Sequence, residues 1–503
     1  MSALTALAML QAVAADVAQP IATVRHTHLT DQPMVVVPLA MAGEANAPLA
    51  ALVGTSPERG QLLVVAQPRN RDQRFAFAAR LAELLVPYID GCGAQSEVAP
   101  PDRGGQARLR AADAPQLLVP NTGGVGFLRL FGRSTRFRRT DGPYPVEGSV
   151  PLLGRWLTFL AERAEHPGSS MLLAMTEVLG AHWATGQSSL ENSNLATLLA
   201  WIDPPDGIGG AAAAAAAEDP GAWPPAGPVT DPAFDNAVLA PAITAYEARL
   251  ADPCADPAAI RRAYAGIEQA LLGQLEPTWR LMWRAVELLR GLPAGGSVAA
   301  RWAADRDVFT DFAARLADGA PPQPRRDGAV AAARRLHRLE RALVSYTVQR
   351  AYDDPLVMAE YRLRGEAFVC TVVDAQPRRI DASGQRRVLR PWITVLPSDR
   401  VMVDPGAALS SPARPAQRAK IVAVSRVPAG TEVVLELSGG MGRTLNPPAG
   451  SVPAMGELIC YTTLTDGYTP PGRFPEREET PWTHGGPPVE WSPDPDDADE
   501  AWS

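Results

Sequence analysis

A chain of 503 residues with 46% hydrophobic content is long enough for about two to four domains, each with a core of its own. Its net charge of −8 excludes a polypeptide that is basic throughout, so any hold on nucleic acid must come from local patches. Only one of the 47 basic side chains is a lysine, Lys420, which excludes a P-loop (the Gly-x-x-x-x-Gly-Lys-Ser/Thr pattern is absent) and leaves a single candidate for Schiff-base chemistry.

Arginine in place of lysine, with abundant Ala, Pro and Gly, is what a high-GC coding sequence produces, and it points to a bacterial chain. The four cysteines, Cys92, Cys254, Cys370 and Cys460, form no CxxC pair and read as reduced thiols of a cytoplasmic protein. No apolar run approaches the roughly 20 residues that span a bilayer, so no membrane partner is expected. The first 20 residues lack the positive start of a signal peptide, and Gln11 interrupts their apolar run. Leu4, Leu7, Leu10, Val13 and Val17 share one helical face ended by Pro20, which predicts an amphipathic docking helix.

Residues 1–202 predict an α/β and then helical N-terminal domain. Val35–Val37, Leu62–Val65 and Leu117–Val119 read as strands, with a helix before the third carrying Phe77, Ala78, Leu81, Leu84 and Leu85 on one stripe. That βαβ-like order predicts a small parallel sheet. From Pro151 the pattern is helical, with segments marked by Trp156, Phe159 and Leu160, by Leu172, Met175 and Leu179, and by Leu195, Leu198 and Leu199. Residues 203–230, rich in Pro, Gly and Ala with seven alanines at 211–217, read as a linker and the clearest domain boundary.

Residues 231–358 predict a helical bundle or stalk. Asp256 and Pro257 are a cap and first-turn proline. Ile260, Tyr264, Ile267, Leu271, Leu275, Trp279, Met282, Val286 and Leu289 then make a long apolar stripe through Pro277. Two further helices carry Phe309, Phe312 and Leu316, and Leu336, Leu339, Leu343 and Tyr346. Residues 359–464 change period to short β-rich runs and predict a small β-barrel of OB or SH3-like kind. Residues 465–503 predict a disordered, Pro-rich acidic tail. The fold class is therefore multidomain α+β: a mixed α/β region, a helical bundle or stalk, a barrel and a tail.

Three segments carry candidate sites. In residues 126–139, Arg129, Arg133, Arg136, Arg138 and Arg139 alternate with Phe127, Phe131 and Phe137, a pattern that lets guanidiniums grip phosphates while rings stack on bases. The alternative is an amphipathic hairpin, Phe inward and Arg outward. The Asn121–Gly124 stretch just before it follows a strand, where backbone amides could cradle an anion. In the barrel, 13 basic residues stand against 8 acidic between Glu360 and Leu445. Arg378, Arg379, Arg386, Arg387 and Arg390 cluster on one hairpin beside Trp392. The alternative there is a solvated hairpin. In the tail, Asp496, Asp497, Asp499 and Glu500 precede Trp502, an aromatic anchor on an acidic peptide suited to a basic partner; the alternatives are a segment that folds back on the chain's own barrel and a solubilising tail.

Other chemistry finds no support. His26 and His28 are spaced like ligands on a strand face, but no nearby cluster completes a metal site. There is no Gly-x-Ser-x-Gly elbow, and residues 438–443, SGGMGR, read as a tight turn needing positive φ. No cofactor and no catalytic residue is expected.

From Leu336 through YRLRGEAFVCTVVD to EVVLELSGGMGR, the element order of residues 325–464 resembles the stalk-and-barrel accessory domain of Upf1-like superfamily 1 helicases. The resemblance is one of order, without a specific motif. With ATPase motifs absent, it implies an accessory chain and not a motor. The sequence thus points to a non-enzymatic accessory protein that binds nucleic acid through its barrel and partners a helicase or other ATPase. The alternatives are a protein-only assembly adaptor using the helical bundle, and an enzyme holding a phosphate-bearing ligand at the 121–126 loop.

Overall fold

The computed structural model describes residues 2–44, 47–99, 107–221, 223–428, 430–467, 472–476 and 479. They divide into two compact units. The larger holds Thr5–Ile21, Arg25–Ala342 and the chain from Arg473, and the smaller holds Ala22–Val24 and Leu343–Gly472 with the first residues.

The larger unit opens with helix α1 (Ala3–Ala15), of which Ala8 and Ala12 are the buried residues. Strands β1 (Met34–Ala40), β2 (Pro48–Gly54) and β3 (Gln61–Val64) form an antiparallel meander. Helix α2 (Arg71–Gly93) follows, started by the Asn70 side chain, which accepts from the Asp72 and Gln73 amides. A hairpin, β4 (Ser96–Ala99) with β5 (Arg108–Ala111), leads to β6 (Leu117–Val119), parallel to β1. Helices α3 (Thr122–Thr135) and α4 (Ser149–Ala164) then lead to β7 (Leu172–Ala174), parallel to β6. The sheet order is β3-β2-β1-β6-β7. It is mixed where the sequence predicted a parallel sheet, because the Ala-rich β2 turns back between β1 and β3. Leu172 belongs to a strand and not to the expected helix, which begins after it as α5 (Met175–Gly180).

Helices cover both faces of this sheet. One face packs against α2, α3, α4 and the later helix α10, through Phe77, Leu81, Phe131, Trp156, Leu160 and Phe309. The other lies under the long helix α9, introduced below, with Met175 and Val178 of α5 and with Leu195 and Leu198 in the same core. Between them in sequence come α6 (Leu195–Ile202), α7 (Gly210–Glu218) and α8 (Ala240–Ala251). Residues 203–230 thus include a helix, α7, whose Ala214 packs with Ala12, Ala18 and Trp201. The segment expected as a boundary lies inside the larger unit, and the division falls at Ala342/Leu343 instead.

Helix α9 (Pro257–Arg290) starts at the expected cap, Asp256, and runs through Pro277. Its stripe Ile267, Leu271, Leu275, Met282, Val286 and Leu289 shares one core with Val35, Val37, Leu49 and Leu52 of the sheet. Helix α10 (Val298–Ala317) closes the opposite face with Trp302, Phe309 and Phe312. These two helices complete a three-layer unit rather than packing on each other as the expected bundle. A stripe this long needs a broad apolar partner, and the sheet supplies one.

Helix α11 (Ala329–Asp353) carries the division between the units, and α12 (Pro355–Leu363) leads into the smaller one. There the strands are β8 (Ala367–Gln376), β9 (Ile380–Asp381), β10 (Val388–Leu389), β11 (Trp392–Pro397), β12 (Ala408–Ser411), β13 (Arg414–Val427), β14 (Gly430–Ser438) and β15 (Leu458–Thr462). Six of them close into an antiparallel barrel in the order β8-β11-β14-β13-β12-β15. Strands β12, β13 and β14 are hairpin-connected with β11 returned beside β14, a Greek key. Alternation sets the faces: Val433, Leu435 and Leu437 point into a core with Phe368, Ile421 and Tyr461, while Val434 and Glu436 point outward. Among the described residues, no helix is long and apolar enough to cross a membrane.

Candidate nucleic-acid interface

The antiparallel order places three chain features at one end of the barrel. Strand β8 finishes there, β11 begins there and β14 finishes there, with the Leu437 amide donating to the Pro391 carbonyl at 2.8 Å. The connection 377–391 contains the β9–β10 hairpin, with Ile380 paired to Leu389 and Asp381 to Val388. Its tip carries Arg386 and Arg387.

The five arginines and the tryptophan predicted in this segment divide into two groups. Arg379, Arg390 and Trp392 brace the hairpin base. Arg379 donates to the Arg390 carbonyl at 2.9 Å and to Glu436 Oε2 at 2.9 Å, with its guanidinium 3.9 Å from the Trp392 ring centroid. Trp392 Nε1 donates to the same Glu436 oxygen at 3.1 Å. Arg390 donates to the Leu389 carbonyl at 3.0 Å. Arg378, Arg386 and Arg387 are exposed and have no hydrogen bond or ion pair among the described residues. The segment's acid, Asp381, is held below the usual carboxylate range by the Ser383 amide and hydroxyl that donate to it.

The second connection at this end, 439–457, turns on glycines with positive φ: Gly439 at 72°, Gly440 at 66° and Gly442 at 77°. The turn expected at 438–443 is therefore present. A side chain on Gly439 would meet the Ala416 carbonyl oxygen at 2.9 Å, so close approach and φ both require glycine. Arg443 projects from this turn, exposed and unpaired among the described residues. Glu457 is bidentate to Arg414 at 2.6 and 3.2 Å, which holds its carboxyl below the usual range. Together the two connections hold six arginines against Asp381 and Glu457, and both acids are already engaged.

The N-terminal candidate segment is built differently. It is helix α3 and its C-terminal continuation rather than a hairpin, started by the Asn121 side chain accepting from the Gly124 amide at 3.2 Å. Phe127, Phe131 and Phe137 face inward, as the amphipathic alternative requires, and are 7%, 2% and 7% exposed. Those rings are not available to stack on bases. The arginines are engaged within the protein. Arg129 pairs with Glu165 at 2.7 Å and Arg139 with Asp141 at 3.2 Å. Arg136 is buried, donating to the Gln323 carbonyl at 2.9 Å and to the Pro324 carbonyl at 3.3 Å. Arg138 donates to the Ser134 carbonyl at 3.0 Å. Arg133 is exposed and makes a long bond, 3.4 Å, to the Arg325 carbonyl. Arg129, Arg133 and Arg136 converge with Arg325 and Arg335 on a cavity of about 170 Å³.

The stretch expected as a 121–126 loop is the cap and first turn of α3, and its surroundings are filled by the chain itself. Asn121 Nδ2 donates to the Ser193 and Ala226 carbonyls at 3.3 and 3.2 Å, and a side chain on Gly123 would meet Pro228 at 3.0 Å. A cleft not legible in the sequence lies elsewhere in the larger unit, with a volume of about 770 Å³ and a lining that includes His28, Tyr88, Cys92, Asp113 and Trp302. His28 stacks on Trp302 with centroids 4.2 Å apart, and Trp302 Nε1 donates to Asp113 at 3.0 Å. Burial, aided by Arg25, pushes the His28 ring down to about 4, and burial pushes the Cys92 thiol up to about 12. At neutral pH both are uncharged, the reverse of an activated nucleophile and its imidazolium partner.

His26 and His28 do not converge: the His26 ring stacks on His182 and the His28 ring on Trp302. No group of three His, Cys, Asp or Glu able to hold a metal occurs among the described residues. Asp496, Asp497, Asp499, Glu500 and Trp502 lie outside the described residues. Searches against family models, curated proteins and solved structures returned no match to the chain.

Proposed function

We propose that the barrel is a nucleic-acid-binding module of a non-enzymatic accessory protein that works beside a helicase or other ATPase. One observation carries the reading: Arg378, Arg386, Arg387 and Arg443 sit at one end of the barrel, exposed and without partners among the described residues. Four unneutralised guanidiniums raise a local positive potential that a phosphate backbone relieves. Arg379 already covers a face of Trp392, so base stacking is not the basis of binding, and sequence-tolerant contact with phosphates is. The ATPase partner is supported by the helix-then-barrel order of α11, α12 and β8, and by the lack of a P-loop in the chain itself.

The test is fluorescence anisotropy with labelled single- and double-stranded DNA and RNA at several salt concentrations. Three or four phosphate contacts give a log–log salt slope of about −2 to −4. Salt-insensitive binding, or none, sinks the proposal.

A second reading, a protein-only adaptor, is favoured by one feature. Leu7, Leu10 and Val13 of α1 are 50%, 69% and 59% exposed, so the apolar face predicted to dock remains uncovered while Ala8 and Ala12 pack inward. An apolar helix face binds protein with little salt dependence, which separates the two readings.

A further inference from the structure

The arginine-lined cavity of the larger unit is independent of the barrel end. Its walls are α3 with Arg129, Arg133 and Arg136, α4 with Glu162 and Glu165, the 318–328 connection with Arg325 and Asp327, and Arg335 of α11. Five guanidiniums face three carboxylates. Glu165 is shared by Arg129 and Arg335, and Asp327 lies 3.6 Å from Arg335. Glu162 opens into the cavity but has protein on most sides, and that burial raises its carboxyl above the ordinary range. The cavity therefore keeps an excess of positive charge, and Arg133, the most open of its arginines, is held by one long bond.

The C-terminal segment is laid beside this cavity within the same unit. Phe474 stands edge-on to His337 of α11 at 5.8 Å, and Arg334 reaches over the Phe474 ring at 6.0 Å. Glu476 lies 3.8 Å from Arg334, whose neighbour in the helix is the cavity residue Arg335. From residue 480 to residue 503 the sequence contains six carboxylates, Glu490, Asp494, Asp496, Asp497, Asp499 and Glu500, and no lysine or arginine. Crossing a helix of about 10 Å diameter takes only a few extended residues, so the acidic stretch is long enough to reach.

We infer that the cavity is the docking site of the chain's own acidic C-terminal stretch, residues 490–503, whose carboxylates bind Arg133 and the arginines around it. Tethering supplies an effective concentration of about millimolar, enough for individually weak charge-assisted bonds to hold. The site is displaceable by design of its chemistry: another polyanion or acidic peptide competes for the same guanidiniums, and salt weakens the hold.

The test uses a labelled peptide of residues 480–503 added to the full chain in two forms. One is the wild type, and the other has its own stretch neutralised by Glu490→Gln, Asp494→Asn, Asp496→Asn, Asp497→Asn, Asp499→Asn and Glu500→Gln. With its own segment occupying the cavity, the wild type binds the peptide about tenfold or more weaker than the neutralised form. Arg133→Glu with Arg325→Glu in the neutralised form removes that binding, and Arg262→Glu, on an exposed turn of α9, does not. If the double variant melts early, Arg133→Glu alone decides, since Arg133 is exposed. Equal peptide affinity for wild type and neutralised chain overturns the inference, as does affinity untouched by Arg133→Glu or lost instead through Arg386→Glu and Arg387→Glu.

Discussion

Arg379 lies over Trp392, its guanidinium 3.9 Å from the ring centroid, and both side chains donate to one oxygen of Glu436. The three groups come from the hairpin, from β11 and from β14, so a single carboxylate fixes where the hairpin leaves the barrel. Arg379→Lys keeps the charge but loses the planar fork and the stack. We expect a loss of about 1 kcal/mol in stability. A double-mutant cycle of Arg379→Lys with Trp392→Leu checks it, and additive effects contradict the coupling.

Arg386→Glu with Arg387→Glu leaves this brace intact. Neither residue has a hydrogen bond or ion pair among the described residues, so the melting temperature stays within the error of wild type. Nucleic-acid affinity falls, and the log–log salt slope shrinks by about two. Anisotropy titrations at three salt concentrations measure both. Unchanged affinity in the folded variant removes the hairpin from the proposed interface.

The Asp305 carboxylate is 1% exposed and accepts from Arg163 at 2.8 Å, Ser169 Oγ at 2.8 Å and the Ser170 amide at 2.7 Å. It joins α10 to the end of α4 and the approach to β7. Asp305→Ala leaves Arg163 largely buried without its counter-charge and costs about 3–5 kcal/mol. Chemical denaturation of the larger unit reports it, and a loss below about 1 kcal/mol contradicts the assignment.

His28 and His166 both have their ring pKa lowered, in each case first by burial. A lowered histidine takes up its proton in the unfolded chain near 6.5 but in the folded chain only near 4 for His28. Between those values the unfolded state binds more protons, so stability falls as pH drops from 6.5 toward 4 and levels off below. For half-buried His28 the loss is on the order of 1 kcal/mol after allowance for solvent screening. Thermal melts of wild type and His28→Gln across that range test it: the variant's curve is flatter.

How much was legible depended on the length and chemistry of each segment. The β-branched run Val35–Val37 and the alternating β13 and β14 announced themselves as strands, and the α9 stripe as a helix. Strand β2, PLAALVG, offers almost no β-branched residue, and β7 is three residues whose spacing from Met175 and Leu179 mimics a helix. For α3 the information was present, since Arg129, Arg133 and Arg136 recur at steps of four and three, but the alternation of charge and ring suggested a hairpin. The exposed arginines of the barrel hairpin could be named from sequence. Their lack of partners among the described residues could not, nor could the convergence of Arg325 and Arg335 on α3, because such contacts join residues far apart in the chain.

The position of α9 bears on any attempt to divide this chain into fragments. Residues 203–230 look like a place to cut, yet the helix that packs on β1, β2 and β3 lies on the far side of the cut. A fragment ending at residue 202 would lack the α9 stripe that shares a core with Val35, Val37, Leu49 and Leu52, leaving apolar sheet surface with a strong tendency to self-association. Fragment boundaries chosen near 342 keep that face covered.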